Sequence, residues 1–209
     1  MIIKSMALGP IMANCFILGC EQTKESVVID PGDEADRILL ALAGDNLKVV
    51  HIINTHGHFD HVSANRPLKD ATGADLIIHR LDAPMLDSLS DAAAGFGLSA
   101  ENSPPPDRHV EDGDIISFGN MELKVIHTPG HTPGGISLYT DGYLFAGDTL
   151  FQGSIGRTDF PGGDYQTLIS SIRDKLFSLG DEVRVLSGHG PETLIGTERR
   201  HNPFAGMGV

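Results

Sequence analysis

Residues 55–61 read THGHFDH, which packs three histidines and an aspartate between His56 and His61. The whole chain has only ten histidines. Just upstream, Val49-Val50-His51-Ile52-Ile53-Asn54 reads as a short buried strand. The cluster therefore stands where a strand ends and a loop begins, which is where α/β folds put their chemistry.

The rest of the N-terminal third fits such a scaffold. MIIKSMAL, ANCFILGC and ESVVIDPG are three short apolar runs separated by turn residues, so they read as strands. DEADRILLALAG, from Asp33 to Gly44, carries apolar residues on one helical face and ends in glycine. A strand over Lys48–Asn54 leads into the cluster, and a second helix is expected from His61 to Thr72 before a strand at Asp75–His79. A less regular passage from Ala92 to Arg108, with Gly95, Gly97 and SPPPD, reads as a loop over one face. Hairpin turns are expected at Gly119-Asn120 and Asp141-Gly142, a last helix at Tyr165–Leu179, and a strand at Glu182–Ser187. Two β-rich halves with helices on one side of each predict a single-domain, four-layer αββα sandwich.

Composition narrows the class. A chain of 209 residues that is 40% hydrophobic and 21% charged is an ordinary globular length for one domain. No apolar run approaches the roughly 20 residues of a membrane helix, and the N-terminus reads as strands, not as a signal peptide. The cysteines, Cys15 and Cys20, fall within one strand-like run and suggest no disulfide framework, so a reducing cytoplasm is expected. A net charge of −13 runs against nucleic-acid binding.

Three further positions repeat the pattern of the cluster, each after a strand and beside a glycine: His131 in HTPGHTPGG, Asp148 in FAGDTLF and His189 in LSGHGPE. With His56, His58, Asp60 and His61 they make five imidazoles and two carboxylates. That donor set suits zinc or iron better than calcium or magnesium, which prefer oxygen. Seven ligands exceed one tetrahedral ion, and two ions sharing a carboxylate are the natural solution. Gly57 would let the loop curl so that His56 and His58 converge. His51, His79, His109, His127 and His201 stand alone and read as ordinary polar residues.

THGHFDH, GHTPGG, GDTLF and SGHGP, in this order, resemble the metallo-β-lactamase superfamily over nearly the whole chain. FQGSIGRTDFPGGD and GTERRHNPF are similar to its short glyoxalase II-like hydrolases. The resemblance implies the αββα sandwich with metals at one end of the two sheets. It assigns His56, His58 and His131 to one divalent ion, Asp60, His61 and His189 to a second, and Asp148 to the bridge. Zinc is the first expectation, iron or manganese the alternatives. Asp30 in VVIDPG matches an acid that braces the histidine loop, although an aspartate closing a strand into a turn would read the same way.

The implied activity is hydrolysis of an anionic, hydroxyacyl-glutathione-like thioester. A metal pair lowers the pKa of a bound water from ~15.7 towards ~7, and a thiolate of pKa near ~8.5 leaves without a dedicated acid. Asp60 is the expected proton acceptor, and Asp148 the second catalytic carboxylate. Full-length glyoxalase II enzymes bind glutathione partly through a helical C-terminal domain, and the chain ends too soon after His189 to hold one. Arg157 matches a basic residue that contacts glutathione, but Asp159 replaces the family's usual tyrosine. Arg157 therefore reads either as a carboxylate anchor or as a partner of Asp159. Rival readings are a mononuclear-iron persulfide dioxygenase using His56, His131 and Asp148, a lactonase or other hydrolase of the same superfamily, and a metal-binding module without catalysis.

Overall fold

Strands that are apolar on both faces need cover on both faces. The computed structural model describes residues 1–208, and its first half meets that demand with β1 (Ile2–Leu8), β2 (Ala13–Gly19), β3 (Glu25–Ile29), α1 (Ala35–Gly44), β4 (Lys48–Ile53), α2 (Phe59–Val62), α3 (Asn65–Thr72), β5 (Asp75–His79), α4 (Leu89–Ala94) and β6 (Arg108–Val110). These six strands form one sheet in sequence order. β1 to β3 are antiparallel, and β3 to β6 are parallel. The switch comes where α1 and then α2–α3 supply the crossovers that parallel pairing requires.

Side chains alternate between two cores, as the period of a strand dictates. In β2, Cys15 and Ile17 join the layer under the helices, whereas Phe16 and Leu18 join the layer between the sheets. In β5, Leu76 and Ile78 pack with Ile38 and Leu68 on the helix side, and Ile77 faces inward. Cys15 and Cys20 are both free and buried.

The second half continues with β7 (Ile115–Phe118), β8 (Met121–His127), β9 (Ile136–Thr140), β10 (Tyr143–Gly147), β11 (Leu150–Phe151), β12 (Ser154–Ile155), α5 (Tyr165–Ser170), β13 (Arg184–Ser187), β14 (Thr193–Leu194) and α6 (Ile195–His201). The second sheet runs β14-β13-β10-β9-β8-β7, with β10 and β13 parallel. Leu168, Ile172 and Leu176 cover its outer face against Leu144 and Val185. The result is helix, sheet, sheet, helix: the expected αββα sandwich. Among the described residues, no helix is long and apolar enough to cross a membrane.

Several local expectations shift. The helix expected over His61–Thr72 is two pieces, α2 and α3. Pro67 has no N–H to give Ser63, so a continuous helix would lose a bond there. The buried Asn65 instead exchanges side-chain hydrogen bonds with Asn54, at 2.8 and 3.1 Å. The helix expected over Tyr165–Leu179 is regular only to Ser170, then widens into π-helical turns over Ser171–Leu176 and tightens over Phe177–Leu179. Asp164 caps its start, accepting from the Thr167 N–H at 2.8 Å. The passage from Ala92 to Arg108 opens in α4, loses regular structure after it, and rejoins the first sheet at β6.

Between the sheets, the buried rings of Phe16 and Phe145 meet edge to face, centroids 5.3 Å apart. Phe145→Ala is expected to cost about 3–5 kcal/mol, the range for emptying a well-packed aromatic site. A lowered urea midpoint with an unchanged m-value is the signature to look for.

Candidate metal centre

The cluster is built by strand ends. β3, β4, β10 and β13 deliver Asp30, the segment from Asn54 to His61, Asp148 and His189 to one edge of the sandwich, and the turn after β8 adds His131. All seven residues singled out as ligands converge there. His56, His58 and His131 form one potential metal-binding group, and Asp60, His61 and His189 form another. Asp148 stands between them. One of its oxygens lies 3.6 Å from His131 Nε2 and 3.7 Å from His189 Nε2, and the other lies 3.5 Å from His61 Nε2.

These spacings suit a shared cation. Two ligand atoms about 2.1 Å from one tetrahedral ion stand about 3.4 Å apart. Across the second group, His61 Nε2 is 3.2 Å from His189 Nε2 and 3.6 Å from Asp60 Oδ2, and His189 Nε2 is 3.3 Å from Asp60 Oδ2. His58 Nδ1 and His131 Nε2 are 2.9 Å apart. His56 Nε2 and Asp148 Oδ1 are buried and have no hydrogen-bond partner, which is costly unless a cation satisfies them. Nitrogen-rich donors with carboxylates suit a transition metal.

The outer nitrogens are held so that the inner ones present lone pairs. His131 Nδ1 donates to the Arg157 carbonyl at 2.7 Å. His61 Nδ1 lies 3.2 Å from Asp30 Oδ2. Such partners set tautomer and ring orientation. Asp30 also accepts from the Thr55 N–H at 2.7 Å and from its hydroxyl at 2.6 Å. Asp30 thus accepts three hydrogen bonds from the histidine loop, and its position near His56 and His61 makes a third possible donor group. Its backbone is left-handed, φ 51°, a conformation aspartate tolerates better than most residues.

The charges are uneven. Burial alone would lower His61, but Asp148, the hydrogen bond to Asp30 and the charge of Asp60 outweigh it and push the imidazole up to about 10. His189 also rises, burial again being overcome, chiefly by its bond to Asp60. Burial and the neighbouring histidines drive His56 far down and His58 down to about 4. Burial acts to raise Asp60, yet its bond to His189 and the charge of His61 hold it below the usual carboxylate range.

The model of the metallo-beta-lactamase superfamily matches residues 8–189. The chain belongs to that superfamily. Most of its members are hydrolases of small molecules. Hydroxyacylglutathione hydrolase GloC of Haemophilus influenzae is 42% identical over 91% of this chain and 92% of its own. Among solved structures, the B3 metallo-beta-lactamase BLEG-1 superposes with a TM-score of 0.91 at 37% identity, over 98% of this chain and 99% of its own. A di-iron-bound form of TTHA1623 gives 0.89 at 39%, over 96% and 99%. The superfamily's histidine- and aspartate-based metal-binding site corresponds to the cluster described here.

Arg157 sits at the mouth of this superfamily site, with its guanidinium committed to Asp159 through two hydrogen bonds of 2.9 and 2.8 Å. It also lies 4.1 Å from the centre of the Phe160 ring. Of the two readings the sequence left open, the ion pair is the one formed. Its main chain matters more directly, since the Arg157 carbonyl orients His131. No sequence signal marks a backbone acceptor.

Asp82 and Asn14 also carry the site and were not singled out from sequence. Asp82 is fully buried and accepts from the N–H groups of Gly57 and Gly134 at 3.1 and 2.6 Å and from the Thr132 hydroxyl at 2.7 Å. It therefore clamps the His56–His58 loop to the His131 turn. Burial pushes its carboxyl above the ordinary range, against the pull of these three donors. Gly134 is needed there, because a Cβ would fall 2.6 Å from Asp82 Oδ1. Asn14, on β2, donates to the carbonyls of Ser187 and Gly190, both at 2.9 Å, and ties the His189 turn to the first sheet. In HRLDAP, Asp82 reads as any turn aspartate.

Asp82→Ala strands several buried donors, each worth about 1–3 kcal/mol. A loss of about 3 kcal/mol in urea unfolding is expected, with metal stoichiometry reduced below that of the parent at equal free metal. The His61 proton gives a second test. In the metal-free fold it persists from the unfolded value of about 6.5 up to about 10, so its stabilisation is complete below the lower value and lost as pH rises through the upper. Metal needs that nitrogen bare. Zinc binding at pH 8 should therefore release at least one proton, read from calorimetric heats in buffers of different ionisation enthalpy, and apparent affinity should rise with pH across that window.

Proposed function

We propose that this protein is a binuclear metal-dependent hydrolase acting on thioesters, with hydroxyacyl-glutathione as the reference substrate. The observation that carries this reading is the pair of donor groups with Asp148 between them. They lie at the base of an open cleft of about 620 Å³. His56, His58 and His131 would hold one divalent ion, Asp60, His61 and His189 the other, and Asp148 both. Bound there, such a pair supplies Lewis acidity towards a carbonyl and acidifies a water at neutral pH.

The chain's own residues supply order and proton transfer. Asp30 and the Arg157 carbonyl keep His61 and His131 in the tautomer that faces the cleft. Asp82 holds the two loops at the spacing a single ion requires. Asp60 lines the cleft, and its carboxylate is the acceptor we assign for the proton released as the thiolate leaves. A thiolate leaves without an acid because the thiol pKa is only about 8.5, consistent with the lack of an unengaged acid among the residues lining the cleft. The similarity to GloC supports the thioester reading. The grouping of Asp60, His61 and His189 supports a second ion, and turnover without oxygen separates hydrolysis from an iron dioxygenase using His56, His131 and Asp148.

Anaerobic assay of the metal-analysed protein on S-lactoylglutathione, followed by loss of thioester absorbance, tests the proposal. Turnover without oxygen at kcat/KM of about 10⁴ M⁻¹s⁻¹ or better is expected, with Asp148→Asn losing at least ~10²-fold together with bound metal. A fully metallated protein that cleaves no thioester, or an Asp148→Asn variant with full metal and rate, overturns it.

A further inference from the structure

The cleft above the metal centre is walled by hydrocarbon. Phe59 and Phe96 have ring centroids 5.5 Å apart, Phe96 and Phe160 6.4 Å, and Phe160 and His58 5.4 Å, an aromatic arc from the buried Phe59 through the exposed Phe96 to the His58 imidazole. Leu81 and Met85 also line the cleft. Leu81 and Phe96 are 53% and 56% exposed, so both have apolar surface left to bury against a ligand. The opposite quality is missing. Among the lining residues, Arg157 is the only arginine or lysine, and Asp159 already holds its guanidinium. Above the metal ligands, a ligand rich in carboxylates finds hydrocarbon and no unpaired arginine or lysine.

We infer that the preferred substrates carry a bulky apolar substituent, alkyl or aryl, beside the scissile carbonyl, and that Phe96, Leu81 and Phe160 select for it. The inference rests on the hydrolase reading and specifies its substrate class. Leu81 and Phe96 belong to the segment between β5 and β6, and Phe160 to the turn preceding α5. Selectivity thus comes from two connections that carry none of the seven metal donors. Arg157, lying on the Phe160 ring, serves to fix that ring.

Two substrate series test the inference with the metal-loaded protein. One varies the acyl group from acetyl through butyryl, hexanoyl and phenylacetyl on a constant thiol. The other varies the thiol, from glutathione to uncharged alkyl and aryl thiols, on a constant acyl group. Specificity, kcat/KM, should rise about fourfold per added methylene in one series, the factor that corresponds to ~0.8 kcal/mol per buried CH₂. The rising series tells which side of the carbonyl the wall receives. Phe96→Ala and Leu81→Ala should flatten that slope while metal content stays that of the parent. A flat or falling dependence in both series, or an undiminished slope in both variants, overturns the inference and leaves the hydrolase reading standing. If no thioester is cleaved, the hydrolase reading falls, and calorimetric binding of acetate, butyrate, hexanoate and phenylacetate decides the rest. Affinity climbing with chain length supports the apolar wall, and equal affinities reject it.

Discussion

Five imidazoles and three carboxylates meet at one edge of this sandwich, too close together to satisfy one another. Imidazole nitrogens 2.9 and 3.2 Å apart, from His58 and His131 and from His61 and His189, each need a proton between them or a cation. A proton serves His61, which Asp148, Asp60 and Asp30 surround, but burial and its charged neighbours deny one to His56. A cation would satisfy the orphaned His56 Nε2. Most of what surrounds the site exists to keep these donors from relaxing away from one another.

That restraint is distributed across the fold. Asp30 ends β3 and holds the loop leaving β4, so the parallel pairing of those two strands is what aligns brace and histidines. Asp82 follows β5 and joins the same loop to the turn carrying His131, linking the two sheets through hydrogen bonds rather than apolar contact. Asn14 does the same for the turn carrying His189. β3, β10 and β13, which lead into Asp30, Asp148 and His189, are buried on both faces. An error of one residue in register would turn β2 or β5 inside out and carry the braces away with it.

The donors were legible from sequence because histidine is scarce and its clustering is improbable without a use. Strand ends beside glycine gave the remaining three. The alternation in β2 and β5 and the turns at Gly119-Asn120 and Asp141-Gly142 were legible for a similar reason, since each follows from local sterics. What escaped was non-local. β11, β12 and β14 span two residues each, too few to show a period, and α6 is short and strongly basic at its end. The division of α2 from α3 depends on Asn65 finding Asn54 across the fold, although Pro67 hinted at it. Asp82 and the Arg157 carbonyl act through contacts that no spacing in the chain records.

The contrast between base and wall of the cleft explains how one site can be both demanding and adaptable. Its base is over-determined: buried donors, tautomers set from behind, and loops tied to one another by Asp30, Asp82 and Asn14. Its wall comes from residues whose exposure shows that the fold does not need them there, Leu81 and Phe96 above all. Hydrocarbon makes few geometric demands, so substituents at these positions can change without disturbing a metal ligand. Arg157 stands at the junction. Its carbonyl belongs to the base, where it orients His131, and its side chain belongs to the wall, where it pairs with Asp159 and lies on Phe160. Replacing that side chain alters the wall while the backbone continues to hold the metal centre, which separates substrate choice from chemistry within a single residue.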